Sequence, residues 1–263
     1  MLNNTRANDI LRQMTILFFG FVQVLASYFA QLTGIGQDMG SRWSGGFNPA
    51  QPSSYAFAIW GIVFPAVMAY AVYQALPAQR EHPLLRRIGW YMAAAFILIT
   101  AWSLLAQLYA PDLLLAILLF GIWWVLVPPY LAIAHTTEKS TADRIMIAFP
   151  INILIGWLSV AVFAGFGNAA TAAGFTDLYI YVSLVLLAGI VGALFTYLGR
   201  GNLAYPLAVV WGLVGVVLAN KARTEYSTVT YAAAGMITVI LLVLLMMFIA
   251  WRLRKGKAAP AIE

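Results

Sequence analysis

Cysteine is absent from this chain of 263 residues, which excludes disulfides, thiolate metal sites and a cysteine nucleophile. Histidine is almost absent. His82 and His135 are the only two, and both are expected in short polar loops facing solvent. Haem ligation inside a membrane normally uses His, and membrane di-iron sites need several His and carboxylates, so neither is expected here. No Ser-His-Asp arrangement, P-loop or metal-ligand cluster is visible. The expectation is a protein that is not an enzyme, with no metal and no protein-ligated cofactor. Charge is scarce as well: Asp, Glu, Lys and Arg make up 9% of the residues, against about 25% in soluble domains. So little charge cannot keep a domain of this size in water, and lipid must be the solvent for most of its surface.

What the chain has instead is apolar length. It is 63% hydrophobic with a mean hydropathy of +0.86. About 20 apolar residues at a rise of 1.5 Å cross the hydrocarbon layer. Stretches of that kind recur at 14–32, 55–76, 88–109, 113–134, 145–165, 178–198, 203–218 and 230–251, the seventh being the shortest. The first follows Arg6 and Arg12 and runs too long for the core of a cleaved signal peptide, so an uncleaved first helix is expected. The fold class expected is all-α, a polytopic transmembrane helix bundle of about eight spans.

Eight crossings sort the basic residues. Twelve of the 15 Lys and Arg fall on the side of the two termini and three (Arg42, Lys221 and Arg223) on the other. That bias predicts an inner, cytoplasmic membrane with both termini cytoplasmic. The nine acids split five to four, as groups that do not set topology should. The net charge of +6 is then accounted for by anionic lipid at the cytoplasmic leaflet, and no nucleic acid partner is needed. Every charged residue lies in a loop or at a span end, so no intramembrane proton relay and no lysine for a retinal Schiff base is expected.

The longest loop, 33–54, is rich in Gly, Pro and Ser and carries Trp43 and Phe47. Pro49 and Pro52 stiffen its exit. Phe57, Trp60, Phe64 and Met68 follow at spacings that share one helical face. Such a stripe fits ordinary helix packing or the wall of a ligand pocket. Trp102, Trp123, Trp124 and Trp157 lie at membrane depth, where a buried indole N–H seeks a partner. Asn152 and Ser159 are the candidates, within either a packed contact or a cavity.

Three stretches carry a resemblance: FNPA–P–FAIWG–F over 47–64, AWS–LY over 101–109 and P–GW–S–A over 150–161. Together they resemble the tryptophan-rich sensory protein family, the TspO/MBR group related to the mitochondrial translocator protein or peripheral benzodiazepine receptor. The likeness covers about 14–170, and NLAYPLAVVWGLVGV at 202–216 is similar to the longer bacterial branch of about eight helices. The resemblance implies a five-helix core over 1–170, with an outer lid loop at 33–54, and three further spans with a basic tail over 171–263. It implies a ligand pocket made by Trp43, Phe47, Pro49, Pro52, Phe57, Trp60, Phe64, Trp102, Trp157 and Ala161. The family's ligands are porphyrins and other tetrapyrroles, with sterols in animal members. This chain has Phe64, Ile99 and Gly165 where short members usually carry Tyr, Asn and Asn, which removes polar contacts from the implied pocket. The implied function is a sensor or receptor for a flat hydrophobic small molecule, with membrane lipids as partners. A transporter or exporter of such molecules and a membrane scaffold or assembly factor are the alternatives. Ala188 and Gly192, at small-xxx-small spacing, fit helix association or a homodimer.

Overall fold

In a computed structural model of the chain, the residues described are 2–42, 47–136 and 139–257. Among them the backbone is helical, with no strand. The principal helices are α1 (Leu2–Ser27), α2 (Trp60–Ala75), α3 (Pro83–Gln107), α4 (Asp112–His135), α5 (Phe149–Ala172), α6 (Leu178–Leu198), α7 (Ala204–Asn220) and α8 (Ser227–Lys257). Seven helical stretches are long and apolar enough to cross a membrane. The remaining one, α7, has 17 residues, about 25 Å of rise and the lower edge of what a span needs. The protein is a multi-pass membrane helix bundle.

Local chemistry sets the helix ends. Pro83 opens α3 and Pro111 precedes α4, positions where a missing N–H costs nothing. Asp177 caps α6 by accepting from the Tyr179 backbone N–H at 2.9 Å. Ahead of α5, Ser140 and Asp143 form a reciprocal capping box, and residues 144–148 follow as one π-helical turn. Pro150, lacking an N–H, cannot donate to the carbonyl four residues back, which favours the wider turn at that place.

The helices form a closed ring of five, in which α1 packs on α2 and α3, α3 on α4, α4 on α5, and α5 back on α2. Outside this ring, α6 and α7 pack on α5, and α8 covers α6 and α7. Helix α5 is therefore enclosed from both sides, and its membrane window is 78% buried, against 17% for α8. Without a hydrophobic drive between helices in lipid, such contacts depend on small residues that let backbones approach. A Cβ added at Gly156 of α5 would stand 2.5 Å from the Tyr205 carbonyl oxygen of α7. One at Gly192 of α6 would meet Val209 and Ile240, so this small residue, like the buried Ala188 one turn before it, packs within the chain. Hydrogen bonding supplies the rest. The Ser159 hydroxyl accepts from Trp123 Nε1 at 2.9 Å and lies 2.9 Å from the Tyr205 hydroxyl, joining α4, α5 and α7. The partner of Trp123 is thus Ser159 and not Asn152.

Two expectations are corrected at the end of the bundle that carries most of the basic residues. The first helix starts at Leu2, well before the apolar run at Met14. Within its polar start two charged residues are buried: Asp9 is 4% and Arg12 2% exposed. Arg86 of α3 reaches Asp9 at 2.6 Å, Arg12 lies 3.4 Å from the same carboxylate, and Arg12 Nη2 donates to the Arg80 carbonyl at 2.9 Å. Gly89 leaves the room that the Arg12 stem fills. His82, expected in solvent, lies 3.3 Å from the carboxylate of Asp143, which also accepts from Tyr73 at 3.4 Å. These contacts gather the N-terminal turn, the 76–82 loop and the start of the fifth span at one end.

Replacing Gly156 with Val should force α5 and α7 apart and destabilise the bundle by about 1–3 kcal/mol, the usual cost of overpacking. The check is a thermal melt of the purified protein in detergent. An unchanged midpoint would mean that the α5–α7 approach is not close in the membrane protein.

Candidate functional site

At the opposite end, inside the ring of five helices, lies a cavity of about 640 Å³. Small-molecule sites commonly measure about 300–1,000 Å³. The chain does not run straight into it. Helix α1 breaks at Tyr28 and restarts as a single turn, Phe29–Thr33, which ends at Gly34 in the left-handed conformation. Gln107 holds this break: its amide donates to the Ala26 carbonyl at 2.7 Å and accepts from the Ala30 N–H at 2.8 Å. The break turns Ser27 and Tyr28 to the cavity, with Ser27 Oγ 3.2 Å from Ser103 Oγ.

The aromatic wall comes from α2 and α5. Trp60 stacks on Phe64, with ring centroids 4.7 Å apart and planes at 29°. Trp157 meets Trp60 edge-on at 6.4 Å and Phe57 edge-on at 5.6 Å. Phe57 belongs to a 3-10 turn, Ser54–Ile59, and not to the α-helix. Phe57 still lines the cavity with Trp60 and Phe64, whereas Met68, the last residue of the expected stripe, is not among the lining residues. Across from this wall stand Ile99 and Trp102 of α3, whose indole donates to the Leu115 carbonyl at 3.1 Å, and the apolar face of α4 from Leu115 to Ile122. Trp123 is not at the cavity but in the helix packing described above, and Trp124 is 63% exposed on the outside of the bundle.

The roof is the segment 47–54, tied on both sides. Asn48 is buried; its amide donates to the Ala164 carbonyl and to Asn168 Oδ1, both at 2.9 Å, and accepts from the Ala50 N–H at 2.9 Å. Gly167 gives it room, because an added Cβ would collide with the amide. From the other side, α7 grips the same segment. The Ser53 N–H donates to the Gly215 carbonyl at 3.0 Å, Asn220 donates to the Pro49 carbonyl at 2.8 Å, and Trp211 donates to the Ala56 carbonyl at 2.7 Å. The Phe47 ring packs on Tyr226, with the Arg223 guanidinium 3.4 Å above its centre. Arg42 bridges to Asp112 at 2.9 Å and closes the roof over the start of α4.

Of the residues singled out from the sequence, Phe47, Pro52, Phe57, Trp60, Phe64, Trp102, Trp157 and Ala161 line the cavity. Pro49 does not line it and serves the roof through its carbonyl. Trp43 lies outside the described residues. Asn48, Ser27 and Ser103 also line the cavity; Asn48 and Ser103 stand inside the FNPA and AWS stretches but were not assigned to the pocket, and Ser27 was not singled out. Only Asn48 carried a local signal, an Asx turn onto residue 50 ahead of Pro52. Asn168 does line the cavity, one turn beyond Gly165, and engages the roof. The one carboxylate among the described lining residues, Asp112, is engaged by Arg42. The Ser53 hydroxyl is buried at the wall with no hydrogen-bond partner. Such a site can hold a molecule by apolar burial, ring contacts and a few hydroxyls.

Asn48→Ala removes the roof's attachment to α5 and takes the partner from Asn168 Oδ1 and from the Ala50 N–H, a loss of about 1–3 kcal/mol. Faster hydrogen exchange confined to the backbone around 48–53 is the expected readout. Exchange there at the wild-type rate would show that α7 alone holds the roof.

A search of curated proteins and a search of solved structures each gave no match. A family model described as TSPO-like protein matches residues 10–247, almost the whole chain and all eight principal helices. With that match and a multi-pass helical bundle behind it, the chain belongs to the TSPO-like protein family.

Proposed function

We propose that this protein is a membrane receptor or sensor that binds a flat, hydrophobic small molecule, of the tetrapyrrole kind, in the cavity beneath the 47–54 roof. The observation that carries the reading is the aromatic corner of Phe57, Trp60, Phe64 and Trp157 on the wall of a 640 Å³ space. A ligand arriving from lipid gains little from leaving its solvent, so ring contact and shape must supply the affinity. Flat conjugated molecules offer the most ring contact for their volume. The residues present fit a porphyrin's faces better than its metal, since no His lines the cavity among the described residues. Binding without axial ligation by the protein is the form proposed. The twelve basic residues on the side of the termini support an orientation in a cytoplasmic membrane with the roof on the outer face.

Purified protein is titrated with protoporphyrin IX and followed by porphyrin absorbance, for the wild type and three variants. Trp60→Ala and Trp157→Ala should each bind about tenfold more weakly, the loss of roughly 1.4 kcal/mol of ring contact. Trp124→Ala, which removes an indole from the outside of the bundle, should bind as the wild type does. Equal affinity in all four proteins, with melting points unchanged, would place the ligand elsewhere and end this reading.

A further inference from the structure

A second cavity, of about 410 Å³, opens at the end of the bundle that carries most of the basic residues. It lies between the end of α4, the start of the fifth span and the turn between α6 and α7. Three cations line it, Lys139, Arg144 and Arg200, and among the described lining residues there is no carboxylate. Asp143, next to Arg144 in sequence, is held instead by the Ser140 cap, Tyr73 and His82.

The cavity has a built interior as well as a charged rim. Asn152 lines it from α5, is 2% exposed, and its Oδ1 is buried with no hydrogen-bond partner. A buried polar atom left without a partner costs about 1–3 kcal/mol, so one on a side chain that lines a cavity points to a group that satisfies the amide. Rotating the amide by half a turn presents its N–H donors at the same place. The backbone on either side is shaped around this space. Arg144 begins the π-helical turn ahead of α5, and such turns recur at functional sites. Arg200 takes a left-handed conformation, φ 51°, followed by Gly201 at φ 90°, a strained backbone for an arginine. Gly199 lies so close to the Tyr130 hydroxyl that a Cβ would collide with it. Burial lowers the affinity of Lys139 for its proton, and the nearby Arg144 lowers it further. A bound anion would oppose both by favouring the charged ammonium.

We propose that this cavity binds a phosphate-bearing anion, with Arg144, Arg200 and Lys139 around the phosphate and the Asn152 amide at its floor. Three cations of one sign around one unpartnered amide match a tetrahedral group with several acceptor oxygens. Two sources carry that group: the headgroup of an anionic phospholipid, for which the exposed Phe149 offers an apolar lip, and free phosphate from the aqueous side. The cavity is separate from the aromatic one and does not depend on what that one binds.

The test compares the wild type with three variants of the full-length protein. Arg144→Ala/Arg200→Ala removes two of the cations. Asn152→Asp keeps the volume and puts a negative charge at the floor. Arg6→Ala/Arg87→Ala removes the same charge from exposed sites at the same end of the bundle. Each is reconstituted in phosphatidylcholine nanodiscs containing phosphatidylglycerol, and lipid retained after extraction is read by native mass spectrometry. Each is also titrated in detergent with inorganic phosphate by calorimetry. Retention of phosphatidylglycerol by the wild type and the Arg6/Arg87 control, with about tenfold less in the two cavity variants, supports a lipid headgroup. Saturable phosphate binding with the same pattern supports a free anion. No binding in either arm, or equal loss in the cavity variants and the control, overturns the proposal. A melting point close to the wild type's in each variant separates loss of binding from misfolding.

Discussion

The hydroxyl of Ser159 is the contact on which the rest of the bundle turns. Lipid offers helices no hydrophobic reason to associate, so close approach and hydrogen bonds between them must do it. Ser159 sits on the most enclosed helix, accepts from the Trp123 indole on one side and meets the Tyr205 hydroxyl on the other. Its own carbonyl partner four residues back, Ile155, keeps it in α5. Three helices are thereby held at one level of the membrane. The five-helix ring is fixed to the outer layer of α6, α7 and α8 through the same atom group, with Gly156 beside it allowing the backbones to touch. The same approach of α7 to α5 continues to the roof, where Gly215 packs on Pro52.

The roof shows why the junction matters. A loop of this composition, left alone, would carry unpaired backbone groups and move freely. Here it is bonded through Asn48 to α5 and through two hydrogen bonds to α7, with a third from Trp211 to Ala56 just beyond it. A ligand in the aromatic cavity would therefore meet a surface already formed, and would not have to order it. The three helices beyond the ring are structural partners of the cavity although α7 offers it little wall.

How much of this could be read beforehand depended on the kind of interaction. Spans declare themselves through apolar length, and the positions of Trp60, Trp102 and Trp157 on the cavity wall followed from a family pattern. Polar groups were harder. The burial of Asp9 and Arg12 had no signal in the sequence because Arg86, the partner of Asp9, lies on another helix. His82 does lie in a loop, and its contact with Asp143 was hidden for the same reason, the carboxylate being far away in sequence. Asn220 and Gly215 carry no local signal, since what they recognise is a backbone carbonyl and an N–H more than 150 residues earlier. Hydropathy is a property of one segment, whereas these contacts belong to pairs. The stripe on α2 held for Phe57, Trp60 and Phe64 and ended before Met68, because spacing gives a helical face and not the depth at which the cavity stops.

The shortness of α7 has a meaning of its own. A helix facing lipid is penalised when its apolar length departs from the bilayer thickness, by fractions of a kcal/mol for each Å. Helix α7 spans about 25 Å by its residue count, less than the roughly 30 Å of hydrocarbon. Nine of its 17 residues are buried among α5, α6, α8 and the roof. Lipid thickness is consequently matched by the long peripheral helices, above all α8. Shielded from mismatch by its neighbours, α7 can end where the Pro49 carbonyl is, and not where the membrane ends.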